Sequence, residues 1–404
     1  MTGRATVLPT LLLLALATGQ AAAQQAPPPP DPDAATLKFG ALSIKPSIAI
    51  DNLGRDNNVF NDPVDPKSDF TMTLTPAADV VFQPGRLKLT YRQAVEYVYY
   101  QTYDSEGGAN NRASIRTDVD LGILRPYAAV SGLDTKDRPN HEVDERARHN
   151  ERDYFGGTTV KLFTRTTAGI EVRQKRIRYD ENAEFRGENL AQALDHTNDI
   201  ITGNVGIELT PFTSFMLDFN RERDRFELDP SRNSTSFRIM PTFLFSPLGL
   251  INGTVAVGYR SFTPDDPATP VFKGFVTDVT TRFTLYDIHR FDLRAARDVN
   301  YSYEQDAPYF VGTTLEVGWT FAMTSRFDAR TSAGRTNMSY RTRTGVTLAQ
   351  PDDTYFAYSV GGGYRIRPRL RVGVTGEWAR RDSDRSAVRT YDNNRIYASL
   401  AWGT

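Results

Sequence analysis

The feature that most constrains this chain is a two-residue alternation of apolar and polar side chains that starts near Leu42 and recurs to the C-terminus. That period belongs to a β-strand whose two faces meet different surroundings. Phe70, Met72, Leu74, Ala78, Val80 and Phe82 share one face, and Thr71, Thr73, Thr75 and Asp79 the other. Leu87, Leu89, Tyr91, Val95, Tyr97 and Tyr99 repeat the pattern against Lys88, Thr90, Arg92 and Glu96. Later runs at Phe215–Phe219, Phe237–Phe245, Tyr309–Phe321, Leu370–Trp378 and Ile396–Trp402 keep it.

The connections between runs carry a second periodicity, because short and long ones alternate. Short ones fall at 83–86, 124–126, 163–165, 211–213, 246–249, 286–290, 322–325 and 367–369; long polar ones fall at 56–68, 104–110, 136–153, 180–195, 227–232, 263–271, 304–308, 341–353 and 381–390. Sorting by length is what an up-and-down sheet gives when its two rims face different compartments. The fold class expected is therefore all-β: a transmembrane, antiparallel β-barrel of about 18 strands. Sixteen is the alternative count if the segments around Leu121 to Leu133 fail to pair. Both termini fall on the short-turn side, so the last strand can pair with the first and leave no edge. A β-sandwich would not sort its loops by length, and a propeller would show a blade-length repeat.

Composition agrees. A mean hydropathy of −0.46 excludes a helical membrane protein. With 48 Lys+Arg against 49 Asp+Glu, bulk charge does not recruit nucleic acid. The absence of Cys removes disulfides, thiolate metal sites and a Cys nucleophile. At the N-terminus, Arg4 precedes an apolar stretch, Val7 to Ala17, and then Ala21-Ala22-Ala23. Residues 1–23 read as a secretory signal peptide. Residues 24–39, with Pro27 to Pro30 and Pro32, read as an extended periplasmic tether. Residues 40–404 form the barrel.

Aromatic residues collect at strand ends, where Tyr and Trp favour the water–lipid boundary. Tyr97, Tyr99, Tyr259, Tyr301, Tyr303, Tyr309 and Trp378 mark the long-loop end, and Phe82, Phe215, Phe245, Phe283, Trp319, Phe321 and Trp402 the short-turn end. Arg297 breaks the pattern by sharing the parity of Phe291, Leu293, Val299 and Tyr301. A lipid-facing Arg costs about 2–4 kcal/mol at midplane, so either a bulge near Ala295-Ala296 or a shifted strand is expected. Gly361-Gly362-Gly363 inside a strand run reads as a bulge or bend.

The opposite, inward parity carries both signs of charge: Arg92, Glu96, Arg112, Arg116, Asp118, Asp120, Asp218, Glu222, Arg238, Asp278, Arg282, Asp292, Arg294, Asp298, Asp328, Arg330, Arg371 and Glu377. These are the pore-lining candidates, either as cross-strand ion pairs bracing the wall or as charges ordering water and polar solute. Catalysis needs convergent groups, and no spacing here demands them; an enzyme, a metal site and a cofactor are not expected. His141 and His149 lie in a loop so charged that a solvated surface is their simplest reading. The same loop, Lys136 to Asp153, exceeds what a hairpin needs. It is expected either to stay outside or to fold into the lumen and pair with Arg112, Arg116, Asp118 and Asp120.

Two stretches carry a family resemblance: Asp51-Asn52-Leu53-Gly54-Arg55-Asp56-Asn57-Asn58-Val59-Phe60 after the first strand, and the final strand Ile396 to Trp402. Together they resemble the putative beta-barrel porin 2 family, in which an Asp-Asn-Val-Phe-like motif follows strand one. The resemblance implies a barrel in the bacterial outer membrane, sometimes associated with exopolysaccharide or capsule export, with both termini periplasmic. The final strand, through Ile396, Ala398, Leu400 and Trp402, also resembles the signal read by the barrel assembly machinery. The partners expected are thus outer-membrane lipid, that machinery, and a polysaccharide with its export partners. The function expected is a channel for polar solutes; the alternative is a surface-binding barrel with a closed lumen and partner-binding loops.

Overall fold

A computed structural model describes residues 37–246, 249–346, 352–384 and 389–403. The signal peptide and most of the tether expected at the N-terminus lie outside the described residues. Eighteen antiparallel strands make the wall: β1 (Leu42–Asp56), β2 (Asp69–Phe82), β3 (Leu87–Tyr100), β4 (Gly108–Val119), β5 (Leu124–Thr135), β6 (His149–Phe163), β7 (Thr166–Tyr179), β8 (His196–Thr210), β9 (Thr213–Arg225), β10 (Ser234–Phe245), β11 (Ile251–Pro264), β12 (Phe272–Leu285), β13 (His289–Tyr301), β14 (Tyr309–Ala322), β15 (Phe327–Arg341), β16 (Asp352–Arg367), β17 (Leu370–Ser383) and β18 (Tyr391–Trp402). Each pairs with its sequence neighbours, and β1 pairs with β18 from Ile48↔Trp402 to Asp56↔Arg395, which closes the sheet. A short extra strand, Leu37–Phe39, folds back on the start of β1.

The 18-strand reading holds and the 16-strand alternative falls, because β4 and β5 pair from Asp118↔Tyr127 to Asn111↔Asp134. The turn between them was expected at 124–126 and lies earlier. Gly122, at φ +87°, supplies the left-handed residue, and its N–H donates to Asp120 Oδ1. Strands run further into several long connections than the polarity of those segments suggested, so the loop expected to span Lys136 to Asp153 covers 136–148.

No bulge interrupts β13 at Ala295-Ala296. Arg297 points outward, and its guanidinium donates to Thr313 Oγ1 at 2.8 Å, which gives the charge one polar partner on the wall. The irregularity lies beside it. The β12–β13 ladder ends at Thr277↔Arg297, whereas β12 continues with β11 to Phe272↔Phe262 and β13 with β14 to Tyr301↔Tyr309. Freed from β12, the tip of the β13–β14 hairpin bends into the barrel, and Val299, Tyr301, Tyr309 and Val311 pack on Phe262, Phe272 and Val276. Tyr301, Tyr303 and Tyr309 are therefore mouth residues rather than a lipid girdle, whereas Tyr97, Tyr99, Tyr259 and Trp378 are exposed on the outer wall.

The glycine run is not a bulge either. Gly361, Gly362 and Gly363 pair in continuous register with both β15 and β17, and the irregularity of β16 sits at Arg365/Arg367. The buried apolar clusters lie at the long-loop end: Val143, Ala147, Phe185, Leu190, Leu194 and Tyr303 form one, although their loops read as polar.

Candidate channel and the loop that closes its mouth

The inner wall is a lattice of charges paired both across and along strands. On β9–β13, Glu222 accepts from Arg260 at 2.9 Å and lies 3.2 Å from Arg238, while Asp298 lies 2.8 Å from Arg238 and 2.7 Å from Arg260. Towards the short turns, Arg282 and Arg290 share Asp292 at 2.6 and 3.6 Å, and Arg330 and Arg371 share Asp328 at 3.0 and 2.6 Å. Arg116 pairs with Asp118 at 2.7 Å, Arg92 with Asp79 at 3.5 Å, Arg294 with Glu316 at 3.9 Å and Glu377 with Arg395 at 3.5 Å. Asp218 accepts from Thr242 Oγ1, and Glu96 from Asn110. Arg112 and Asp278 form no ion pair among the described residues. Asp120 falls just past β4, in the turn beside Arg125. The expected candidates thus form several local clusters rather than one convergent site.

Above this wall the loop 136–148 folds into the barrel. Glu142 and Val143 are fully buried. The partners expected for this loop were wrong: Arg116 and Asp118 hold each other, and the loop crosses to the far wall instead. Arg381 of β17, itself fully buried, donates to Asp144 at 2.9 Å, to Asp353 of β16 at 2.6 Å and to the Glu142 carbonyl at 3.2 Å. Glu142 accepts from Ser302 Oγ at 2.6 Å. Arg389 bridges Asp353, Glu304 and the Tyr303 hydroxyl. Arg381 continues the inward parity of Arg371 and Glu377, so extending that row by two residue pairs would have found it. The pairing with Asp144 depends on the loop's path, which has no period to read.

The Asp-Asn-Val-Phe-like segment braces the same loop. Asn393 of β18 donates to Asp56 Oδ1 at 3.0 Å and to the Asn58 carbonyl at 2.7 Å. The buried Val59 then offers its carbonyl to Arg138 at 2.7 Å and Arg146 at 3.1 Å, both from the loop. Neither loop histidine is fully solvated: His141 is half-buried. His149 is buried, stacks on Tyr179 and faces the Ala147 carbonyl, and His141 stacks on Tyr355 of β16. Burial, with Arg381 nearby, holds His141 down at about 4, and burial pushes the Glu142 carboxyl up.

A closed 18-strand wall with a charged interior matches one family along nearly its whole length: the sequence profile described as "Putative beta-barrel porin 2" covers residues 29–402. The chain belongs to this family. As a member of the beta-barrel porin 2 family it is a porin-like barrel of the bacterial outer membrane. Among solved structures it is similar to the outer membrane protein OpdK of Pseudomonas aeruginosa, at 8% identity over 89% of this chain and 99% of that one, with a TM-score of 0.49. OccK2 (OpdF) of the same organism, in complex with glucuronate, gives 12% identity over 89% and 98%, with a TM-score of 0.49. The FrpB iron transporter of Neisseria meningitidis gives 11% over 84% and 62%, with a TM-score of 0.43. No curated protein matches this porin-family chain.

Proposed function

We propose that this barrel is a porin-like channel for polar solutes whose outer mouth is held narrow by the loop 136–148. The observation that supports it is the Arg381 latch: a charged inner wall lies beneath chain held across the opening by a few ion pairs. Polar wall groups suit hydrated solutes held weakly enough to leave again. Short turns and both termini are assigned to the periplasm and the long loops to the outside, the arrangement usual for outer-membrane barrels. The outward row Ile396, Ala398, Leu400 and Trp402 is assigned to recognition by the assembly machinery.

Association with exopolysaccharide export is the finer form of this reading, carried by the family resemblance. A polymer needs more room than an ion, so this form requires the loop and the β13–β14 tip to withdraw together. Planar-bilayer recording tests the channel: discrete conductance steps, diminished by added oligosaccharide, are expected. The buried mouth favours one rival, a surface-binding barrel with a sealed lumen. Heat-modifiable, correctly folded protein that yields no steps would select it.

A further inference from the structure

On the outer wall, arginines cluster on β6–β9 towards the long loops, with Asp199 and Thr197 of β8 among them. The outward row of β9 runs Phe215, Leu217, Phe219 and then Arg221, Arg223 and Arg225, all three exposed. On β7, Ile170 and Val172 give way to Gln174, Arg176 and Arg178, and on β6 Tyr154 gives way to Arg152. Elsewhere the outward apolar residues climb further towards the long loops. Tyr99 is the penultimate residue of β3, Phe70 the second of β2, and Phe275, 71% exposed, the fourth of β12. Counted from the long-loop strand ends, Arg152 and Arg176 stand fourth and Arg221 fifth, positions comparable to that of the exposed Phe275 on β12.

Half of these six arginines are paired with carboxylates within the protein. Arg225 pairs with Asp199, Arg178 with Glu227 and Arg223 with Asp265. Arg176 donates to Gln174 Oε1 and lies over the Tyr154 ring, and Arg152 donates to the carbonyls of Leu133 and Glu151. Arg221 forms no hydrogen bond or ion pair among the described residues. Arg152, Arg176 and Arg221 thus present guanidinium groups without a carboxylate partner on the outer wall, where a phosphate group can accept two parallel hydrogen bonds from each.

We propose that the outer face of β6–β9 is a docking surface for a phosphorylated lipid headgroup of the outer leaflet, with Arg152, Arg176 and Arg221 as the phosphate contacts. The proposal rests on the assigned orientation of the long loops and not on solute passage. Arg176→Gln with Arg221→Gln is the decisive variant, compared with wild type by native mass spectrometry in mild detergent after addition of bisphosphorylated lipid A, its monophosphoryl form or phosphatidylcholine. Wild type is expected to retain the bisphosphorylated lipid best and phosphatidylcholine least, and the double variant to retain it about tenfold less. Arg176→Lys with Arg221→Lys, which keeps the charge, recovers part of the binding if the first variant is poorly folded. Arg335→Gln, an exposed outward arginine on β15, leaves retention unchanged. Equal retention by wild type and the double variant, equal loss in Arg335→Gln, or displacement of the lipid by millimolar inorganic phosphate would overturn the proposal. Conductance is read separately, so a barrel that binds lipid and fails to conduct leaves this inference standing.

Discussion

Arg371 of β17 reaches across β16 to Asp328 of β15, closing to 2.6 Å with its guanidinium laid over Gly363. A Cβ at position 363 would stand 2.0 Å from that guanidinium. The glycine therefore gives clearance to a side chain from the next strand.

Gly363→Ala is expected to push Arg371 off Asp328 while the strand stays paired, because the obstructing atoms end a flexible side chain. The pair is partly solvated, so the loss of stability should stay below about 1 kcal/mol. Ion selectivity should move more than stability does, since Arg371 is freed into the lumen. Reversal potential in a salt gradient, read beside the thermal midpoint, checks this.

Arg381→Gln removes the latch, leaving the buried Asp144 without its cation and Asp353 with Arg389 alone. Breaking one side of such a pair costs about 3–5 kcal/mol, here charged against the docked loop more than against the wall. Arg381 Nε and Asp353 Oδ1 already lack hydrogen-bond partners, so the latch is incompletely satisfied as it stands. Limited proteolysis of intact cells or liposomes should show cleavage within 136–148 in the variant and protection in wild type. Equal protection would show that Val59 and Ser302 hold the loop without Arg381.

The docked loop carries two pH responses of opposite sign. Burial raises the Glu142 carboxyl above its ordinary 4.5, so docking through Glu142 is favoured at low pH and weakens as pH rises past that value. Burial lowers His141 from 6.5 to about 4, so docking through His141 is favoured above 6.5 and weakens as pH falls between those values. Ser302, Tyr303, Arg381 and Arg389 face Glu142, and Tyr355 and Arg381 face His141. His141→Gln should therefore close more firmly on acidification, and Glu142→Gln should open. Open probability recorded from pH 7 downwards reads both; identical profiles in the two variants would refute the assignment.

The wall was legible because its code is local and repetitive. Two-residue alternation fixes which side chains face lipid, and Arg92, Glu222 and Asp328 could be placed inward from parity alone. The failures share a cause, which is that contacts between distant segments leave no period. Val143, Leu190 and Leu194 sit among charged neighbours and look solvated until three loops meet over the lumen. Tyr301 and Tyr309 have the parity of lipid-facing residues and lose it when their hairpin leaves β12. Gly363 reads as a bulge because the side chain that needs its space lies on the next strand.

Single-channel conductance of a chain whose residues 138–147 are replaced by a short Gly-Ser turn tests the central claim, that this is a channel narrowed by its own loop, most directly. The replacement spares β5 and β6, and the heat-modifiable gel shift confirms that the barrel still closes. The account predicts a step conductance clearly larger than that of wild type, with a larger polymer needed to block it. Equal conductance in the two proteins would show that the loop does not constrict the path, and silence in both would contradict the channel itself.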